Sequence, residues 1–397
     1  MRHKVAILTR EYPPEVYGGA GTHVEYLAPA VGKLADVSVH CWGSPRQEPG
    51  VTAYQPWAAL AEPKPESGAL QAMSINLAMA GALKGAELAH SHTWYAYFGG
   101  HLARLMWSIP HVMTIHSLEP LRPWKAEQLG GGYALSTFCE RTAIEAADAV
   151  IAVSKGVRQD VLNCYPDLSP NRVVVIHNGI DPEVYRPQPS PETLARYGVD
   201  PNVPFAFFNG RLTRQKGLPL LLSAALELDP RHQVVIVATS PDTPEIGAEV
   251  ARLADRVRNE RGNLVWIDHF IPREDLIHLH THASVFVCPS IYEPFGLVVL
   301  EAMACETAVV ASRVGGIPEI VVEGETGYMV DYDAKEPERF VSALAQRIDQ
   351  LLSDPTLAGR MGRAGRERAV KDFGWPAIAR QTVDLYDRLL KERPARG

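Results

Sequence analysis

Two glutamates, Glu293 and Glu301, stand eight residues apart behind residues 283–288, a short apolar run that is typical of a buried strand. Pro294 predicts a helix start directly after Glu293, because the N–H that proline lacks would be unpaired there anyway. The free N–H groups of a helix start bind anions. The spacing therefore suits a diphosphate with sugar hydroxyls at one glutamate and ribose hydroxyls at the other. A plain complement to the helix dipole is the alternative.

A glycine-rich loop follows the first predicted strand, residues 4–9, and precedes a helix predicted from about Thr22. Its glycines are Gly18, Gly19 and Gly21. Glycines let backbone N–H groups come close to an anion, so the loop predicts a phosphate approach, with a tight turn as the alternative. The dinucleotide fingerprint is excluded because Val24 stands where the third Gly or Ala belongs, and no Gly-Lys-Ser/Thr follows to make a Walker loop.

A second loop of this kind follows a predicted strand at residues 204–209. It carries Arg211 and Lys216 between Gly210 and Gly217. Cations in a strand-to-helix loop bind phosphate oxygens together with the helix start. A solvated basic loop is the alternative.

Histidines close two further predicted strands. His90 and His92 alternate along one strand, His116 ends the next, and His101 and His111 lie beyond the first. Ligands of open α/β sheets bind beyond the carboxyl ends of the strands, so His116 is expected at the site, with a structural hydrogen-bonded role as the alternative. No Asp or Glu recurs at fitting spacing, and we predict no metal site.

The loop after His116, residues 119–133, is long and rich in proline and glycine, and long structured loops are usually functional. It supplies Arg122 and Lys125 with Trp124 between them. Arg is suited to bidentate phosphate contacts, and Trp124 offers a face for a sugar ring. The alternative is that the two cations form surface ion pairs with Glu119 and Glu127.

The whole chain has 397 residues, of which 46% are apolar, enough for two domains with ordinary cores. The net charge of -7 excludes general nucleic-acid binding. Five scattered cysteines without a CxxC indicate free thiols in a reducing compartment. No signal peptide and no long apolar run are apparent, which predicts a cytoplasmic protein without a membrane span.

Two successive strand–helix series predict an α/β protein with two doubly wound, Rossmann-like domains. We place the boundary at 185/186, giving an N-terminal domain at 1–185 and a C-terminal domain at 186–375. A proline-rich stretch, Pro182–Pro204, is assigned as the linker. The proline-rich stretch from Pro45 to Ser67 is predicted to be a surface excursion, and polar residues 331–333 are predicted to form a turn.

The stretch from Glu293 to Glu301 resembles the E-x7-E motif of retaining glycosyltransferases of family 4, which have the GT-B fold. The Gly210–Gly217 loop resembles the diphosphate-binding loop of the same family. Residues 9–14 and 18–21 resemble its glycogen synthase branch. This resemblance implies two domains facing across a cleft, with residues 376–397 returning to the first, and a metal-independent reaction without a cofactor.

The resemblance also implies roles for individual residues. Catalytic roles fall on His116, Glu293, Arg211 and Lys216. The donor-binding set is Gly18, Gly19, Gly21, Arg211, Lys216, Phe295, Gly296, Leu297, Val298 and Glu301. Acceptor binding is assigned to His92, Tyr95, Arg122, Trp124 and Lys125.

One departure concerns the acceptor. Synthases that extend a polymer typically have Lys before the first Gly-Gly pair, where this chain has Tyr17. Residues 90–94 and 121–125 resemble more closely the actinobacterial maltose-1-phosphate synthases of the same branch. The resemblance implies transfer of glucose from ADP-glucose to glucose 1-phosphate through an α-1,4 bond. Alternatives are a glycogen synthase that elongates an α-glucan, a non-catalytic sugar-nucleotide binding protein and, least favoured, an NAD-dependent oxidoreductase. A homodimer is left open.

Overall fold

The computed structural model describes residues 2–16, 18–60, 67–122 and 130–392. These residues form two units. The first contains the described residues up to Gly179 together with those from Trp375 onwards, and the second is Ile180–Gly374. Within the described ranges, no helix combines the length and apolar character needed to cross a bilayer.

The first unit is built on a parallel sheet. Its strands are β1 (Lys4–Leu8), β2 (Asp36–Trp42), β3 (Val51–Tyr54), β4 (Leu88–His92), β5 (His111–Ile115), β6 (Ala149–Ala152) and β7 (Val173–Val175). Its helices are α1 (Gly19–Gly32), α2 (Ser67–Ala82), α3 (Trp94–Trp107), α4 (Gly132–Ala146), α5 (Lys155–Cys164) and the last helix, α14 (Trp375–Lys391). In the described residues, the strand order is β3-β2-β1-β4-β5-β6-β7, and the order reverses direction at β1 and β4.

Helices cover both faces of this sheet, and the central strands β4 and β5 are accordingly buried along their whole length. On one face, α1 and α14 bury side chains such as Leu27 and Ile378 against the sheet. On the other face, α2 contributes Ile75 and Met79. The stacked rings of Tyr26 and Trp375, with centroids 5.9 Å apart, tie the last helix to α1.

The second unit has a similar plan. Its strands are β8 (Phe205–Asn209), β9 (Gln233–Val237), β10 (Leu264–Ile267), β11 (Val285–Cys288), β12 (Ala308–Ser312) and β13 (Gly327–Val330). Its helices are α6 (Pro191–Arg196), α7 (Leu218–Ala225), α8 (Pro244–Glu260), α9 (Arg273–His282), α10 (Leu297–Ala304), α11 (Ile317–Ile320), α12 (Pro337–Ser353) and α13 (Pro355–Asp372). The described strands run parallel in the order β10-β9-β8-β11-β12-β13, so β8 and β11 lie side by side where the order reverses.

Two features differ from the sequence expectations. The stretch between Pro45 and Ser67, expected to be a surface excursion, contains β3, which pairs with β2 from Val39↔Val51 to Trp42↔Tyr54. The edge position of β3 explains the weak signal, because only one of its sides is paired.

The proline-rich stretch expected to be a linker is part of the second unit. The N–H of Gln188 donates to Thr281 Oγ1 at 3.0 Å, and the N–H of Ser190 donates to His282 Nε2 at 2.9 Å. These bonds attach the stretch to α9. The units divide at 179/180 and 374/375.

Candidate active site

A buried ion pair joins the carboxyl ends of two neighbouring strands in the second unit. Lys216, in the loop after β8, places Nζ 2.7 Å from Oε2 of Glu293, in the loop after β11. The side chains are 15% and 8% exposed, and Ser290 Oγ donates to the same carboxylate oxygen at 3.0 Å. The two residues that the sequence singled out 77 positions apart are therefore direct partners.

Electrostatics keep Lys216 charged. Burial is the largest single influence on its pKa and lowers it, but Glu293 and Cys288 outweigh that influence, so the pKa of Lys216 lies above its usual value. Arg211 lies close enough for its charge to oppose this rise. The loop after β8 thus presents two cations at the edge of the sheet where parallel strands end.

Close backbone contacts hold the two loops together. Gly217 has a φ of 67°, and a Cβ there would collide with the carbonyl oxygen of Pro289. The N–H of Ile291 donates to the Gln215 carbonyl at 2.9 Å. Only glycine fits position 217, because the left-handed φ and the close carbonyl both exclude a side chain.

A third loop fixes the backbone of Glu293. The N–H of Gly316 donates to the Glu293 carbonyl at 3.0 Å. Its neighbour Gly315 has a φ of 54°, and a Cβ at that position would meet the same carbonyl oxygen. The glycine turn after β12 therefore fixes the position of the Glu293 backbone.

The predicted helix start at Pro294 is wrong. Helix α10 begins at Leu297, after Gly296 with a φ of 113°, a conformation that an α-helix excludes. Phe295 is buried beside Phe373, with ring centroids 6.0 Å apart. The intrahelical bonds begin with Val299 N–H to the Gly296 carbonyl at 2.9 Å, so the N–H groups of Leu297 and Val298 precede them.

Glu301 consequently lies one turn inside α10. Burial raises the pKa of Glu301, while a hydrogen bond with Tyr185 and the charges of Arg273 and Lys216 oppose the rise. The Lys216–Glu293 ion pair lies in the loops after β8 and β11. The free helix start and the Glu301 carboxylate belong to α10. The arrangement offers cations and N–H groups to a diphosphate and carboxylates to hydroxyl groups.

The first unit brings three histidines together. His92 ends β4, His116 directly follows β5, and His23 projects from α1, with all three rings contributing a nitrogen within 4.8 Å of one another. His92 Nδ1 lies 3.1 Å from His116 Nε2. We call these three residues the histidine triad. Thr93, directly after His92, has a φ of 64°, a backbone strain of the kind that accumulates at functional sites.

Burial keeps the triad uncharged. It lowers the pKa of His23 to about 4, and it lowers the pKa values of His92 and His116 well below the usual range. Two other candidate histidines, His90 and His111, have structural partners, and His111 Nε2 lies 2.6 Å from Ser91 Oγ. Both ring nitrogens of His90 are taken, by Tyr386 and Thr114 at 2.6 and 2.7 Å.

In the first glycine loop, a backbone N–H group binds a glutamate side chain of the protein itself. The Gly18 N–H donates to Glu11 Oε2 at 2.8 Å. A Cβ on Gly21 would lie 2.7 Å from Cβ of Glu11, so position 21 requires glycine. Glu11 therefore uses one of the N–H groups that the sequence assigned to a phosphate. The donor roles predicted for Gly18, Gly19 and Gly21 stay predictions.

Arg122 is held at the end of β5 by polar neighbours. Its Nη1 donates to Ser117 Oγ at 2.9 Å and lies 3.8 Å from Glu119 Oε1, and its side chain is 13% exposed. The ion pair considered at the sequence level exists, but it is buried rather than at the surface. Lys125 and Trp124 lie outside the described residues, as does Tyr17.

A buried acid, Glu140, holds the backbone of Glu119, the ion-pair partner of Arg122. Glu140 accepts the Glu119 N–H at 3.0 Å and the Tyr165 hydroxyl at 2.7 Å. Burial, followed by the charge of Glu119, raises the pKa of Glu140 to about 8. Glu140 is thus mostly neutral at pH 7.

Tyr95 lies in the first turn of α3, a few residues after His92. The Arg10 guanidinium carbon lies 4.1 Å from the centre of the Tyr95 ring, and the Trp42 ring packs edge-on against it. These contacts fix the ring near the carboxyl end of β4. Its predicted acceptor role stays a prediction.

Comparison with known proteins identifies the family. A family model described as Glycosyltransferase Family 4 matches residues 17–184, and one described as Glycosyl transferases group 1 matches residues 190–368. The chain is 50% identical over 393 residues to an alpha-maltose-1-phosphate synthase of Mycolicibacterium smegmatis, covering 97% of this chain and 99% of the relative.

The chain belongs to glycosyltransferase family 4. A second alpha-maltose-1-phosphate synthase, from Mycobacterium tuberculosis, is 51% identical over 390 residues, covering 97% of this chain and 99% of the relative. The solved sucrose-phosphate synthase of Thermosynechococcus elongatus superimposes with a TM-score of 0.80 at 26% identity, covering 98% of this chain and 100% of that one. The predicted GT-B fold with two Rossmann-like domains, and the prediction that the chain is a glycosyltransferase enzyme, are confirmed.

Sequence reasoning missed His23 and Glu11. His23 lies in the second turn of α1, the helix that follows β1, and β1 is the neighbour of β4. A helix that begins at the carboxyl end of β1 directs its first turns towards the ends of the adjacent strands. No motif marks His23, and only the pairing of β1 with β4 could have predicted that it lies near His92.

Gly315→Ala tests the clamp on Glu293, with Gly324→Ala as the matched control. Gly324 also has a positive φ, of 75°, but open space where a Cβ would stand. The control should lose about 1–2 kcal/mol from the left-handed φ alone. Gly315→Ala should lose at least ~2 kcal/mol more, because its clash is with backbone.

Differential scanning calorimetry measures the effect, with ~2–4 °C of Tm expected per kcal/mol. Gly315→Ala should also lower kcat by more than the control does. Equal Tm values for the two variants would show that the turn does not constrain Glu293.

Proposed function

We propose that this glycosyltransferase moves glucose from ADP-glucose to glucose 1-phosphate, with retention at the anomeric carbon, and produces α-maltose 1-phosphate. The observation that carries the proposal is the 50% identity, over nearly the full length of both chains, to a protein named alpha-maltose-1-phosphate synthase. The product would serve α-glucan synthesis.

The donor is assigned to the second unit. Lys216 and Arg211 would bind the diphosphate together with the N–H groups of Leu297 and Val298. Glu293 would accept hydroxyl groups of the glucose and Glu301 those of the ribose. Because negative charge grows on the leaving diphosphate during transfer, cations fixed in advance stabilise the transition state more than the ground state. The close Lys216–Glu293 contact supports this assignment, since it fixes the position of the ammonium group.

The reaction requires no metal in this proposal. The bond between the anomeric carbon and the diphosphate oxygen breaks, and the acceptor oxygen forms its bond on the same face of the ring. The acceptor proton passes to the leaving phosphate oxygen, which becomes part of ADP. His116, neutral at pH 7, would hold the donor sugar by a hydrogen bond rather than take the proton.

The acceptor is assigned to the first unit, with Arg122 as the phosphate ligand. Ser117 and Glu119 orient its guanidinium, so a phosphate contact would cost less side-chain conformational entropy. Arg122 thus provides a partly shielded cation of fixed direction. His92 and Tyr95 would contact the sugar ring.

Replacing either phosphate-binding cation tests the donor assignment. Arg211→Ala and Lys216→Ala should each lower kcat/KM by ~10²-fold or more, because each removes a charge that the leaving group requires. Arg214→Ala is the matched control, since Arg214 belongs to the same turn as Lys216 but is exposed and pairs with Glu249. Steady-state kinetics with ADP-glucose provide the measurement. Wild-type values for both variants would remove these residues from the donor site.

Replacing Arg122 tests the acceptor assignment. Arg122→Ala should raise KM for glucose 1-phosphate by ~10-fold or more and change KM for a maltooligosaccharide little, since only the first acceptor carries a phosphate. Arg141→Ala, an exposed cation on α4, is the control. A similar rise for both acceptors would indicate a structural role for Arg122, and efficient use of glucan alone by the wild type would indicate a glycogen synthase.

A further inference from the structure

The histidine triad has the composition and spacing of a metal-ion site. Its ligand atoms all lie within 4.8 Å of one another, and His92 Nδ1 lies 3.1 Å from His116 Nε2. Zn²⁺ binds imidazole nitrogens at ~2.0–2.1 Å, which places two nitrogens of a tetrahedral site ~3.4 Å apart. His92 Nδ1 and His116 Nε2, which are hydrogen-bonded to each other, are already near that separation, and rotation of the rings would bring in the third.

Unpaired buried atoms gather at the same place. Both ring nitrogens of His23 are buried, and neither has a hydrogen-bond partner within the described chain. Oδ1 of Asn178 is also buried and unpaired. Asn178 lies close enough to oppose the lowered pKa of His23, but its geometry falls short of a hydrogen bond.

A buried polar atom left without a partner costs about 1–3 kcal/mol, and a concentration of such atoms at one place requires an explanation. A metal ion would engage one nitrogen of His23, and Asn178 could then accept from the N–H on the other side of the ring. Metal-bound histidines usually have an outer partner of this kind.

We propose that His23, His92 and His116 bind a transition-metal ion of the Zn²⁺ class, and that the bound ion inhibits transfer. Three imidazoles without a carboxylate favour Zn²⁺, Co²⁺, Ni²⁺ or Cu²⁺ over Mg²⁺ and Ca²⁺, which prefer oxygen ligands. No carboxylate or thiol of the described residues joins the three.

The inhibitory effect rests on the proposed function, in which His116 holds the donor sugar. A ring nitrogen bonded to a metal has no lone pair for a hydroxyl group, so occupancy would remove His116 from the reaction. His90 is not a ligand, because Tyr386 and Thr114 engage both of its nitrogens. It supports the triad instead, with its ring centroid 4.3 Å from that of His92.

Titration of the untagged full-length protein with Co²⁺ tests the binding independently of catalysis. The visible absorption of Co²⁺ should saturate at one ion per chain with the intensity of a tetrahedral or five-coordinate site, and Zn²⁺ should displace it. His23→Gln, His92→Gln and His116→Gln should each weaken binding by at least ~10-fold. His101→Gln, a histidine of α3 outside the triad, should bind as the wild type does.

Circular dichroism establishes that each variant is folded. Because His116 is partly exposed, His116→Gln is the triad substitution that disturbs the core least. Absence of the saturable band in the wild type would overturn the proposal, as would equal affinity in folded triad variants.

Transfer assays test the inhibition. Zn²⁺ should inhibit the wild type and His101→Gln, a chelator should restore their activity, and His23→Gln should resist the ion. Equal inhibition of His23→Gln would overturn the inhibitory role. Failure of the proposed function would appear separately, as a normal Co²⁺ spectrum in a protein that transfers no glucose.

Discussion

The Lys216–Glu293 ion pair is the constraint on which the second unit depends. Removing two charges from water is costly, and the attraction between them compensates only when the geometry is fixed. Here the geometry is fixed by glycines. Gly217 admits the Pro289 carbonyl and Gly315 admits that of Glu293, so three loops from β8, β11 and β12 meet without intervening side chains. Loss of one partner would leave a buried charge unpaired, at a cost of about 3–5 kcal/mol.

The histidine triad of the first unit consists of uncharged polar groups instead. Burial lowers the pKa values of His23, His92 and His116, so these rings offer neutral donors and acceptors at physiological pH. The last helix contributes to this arrangement, because the Tyr386 hydroxyl pairs with His90 beneath the triad. The triad therefore presents neutral hydrogen-bonding groups, which suit sugar hydroxyls.

Much of the fold was predictable because buried parallel strands have continuous apolar sequences. The central strands of both sheets lie within a residue or two of their predicted bounds, whereas the edge strand β3 was missed. The start of α10 was misplaced because Pro294 is a good first helical residue locally. The left-handed φ of Gly296 delays the helix, and a backbone angle of that kind is not visible in the sequence.

The candidate site was predictable where a family motif covers it and not elsewhere. Glu293 and Lys216 were found separately, but their direct contact depends on the pairing of β8 with β11. His23 carries no motif, and only the strand order places it beside His92. The sequence suggested a surface ion pair between Arg122 and Glu119. The pair is buried instead, because the Glu119 backbone is hydrogen-bonded to Glu140 inside the unit.

Product analysis by NMR tests the central claim most directly. The enzyme is supplied with ADP-glucose and equal concentrations of glucose 1-phosphate and a maltooligosaccharide, and the new glycosidic bond is identified by its carbon shifts and anomeric coupling. The account predicts α-maltose 1-phosphate, with an α-1,4 bond and the donor's configuration retained. Elongated maltooligosaccharide with unused glucose 1-phosphate, or a β-linked product, would contradict it.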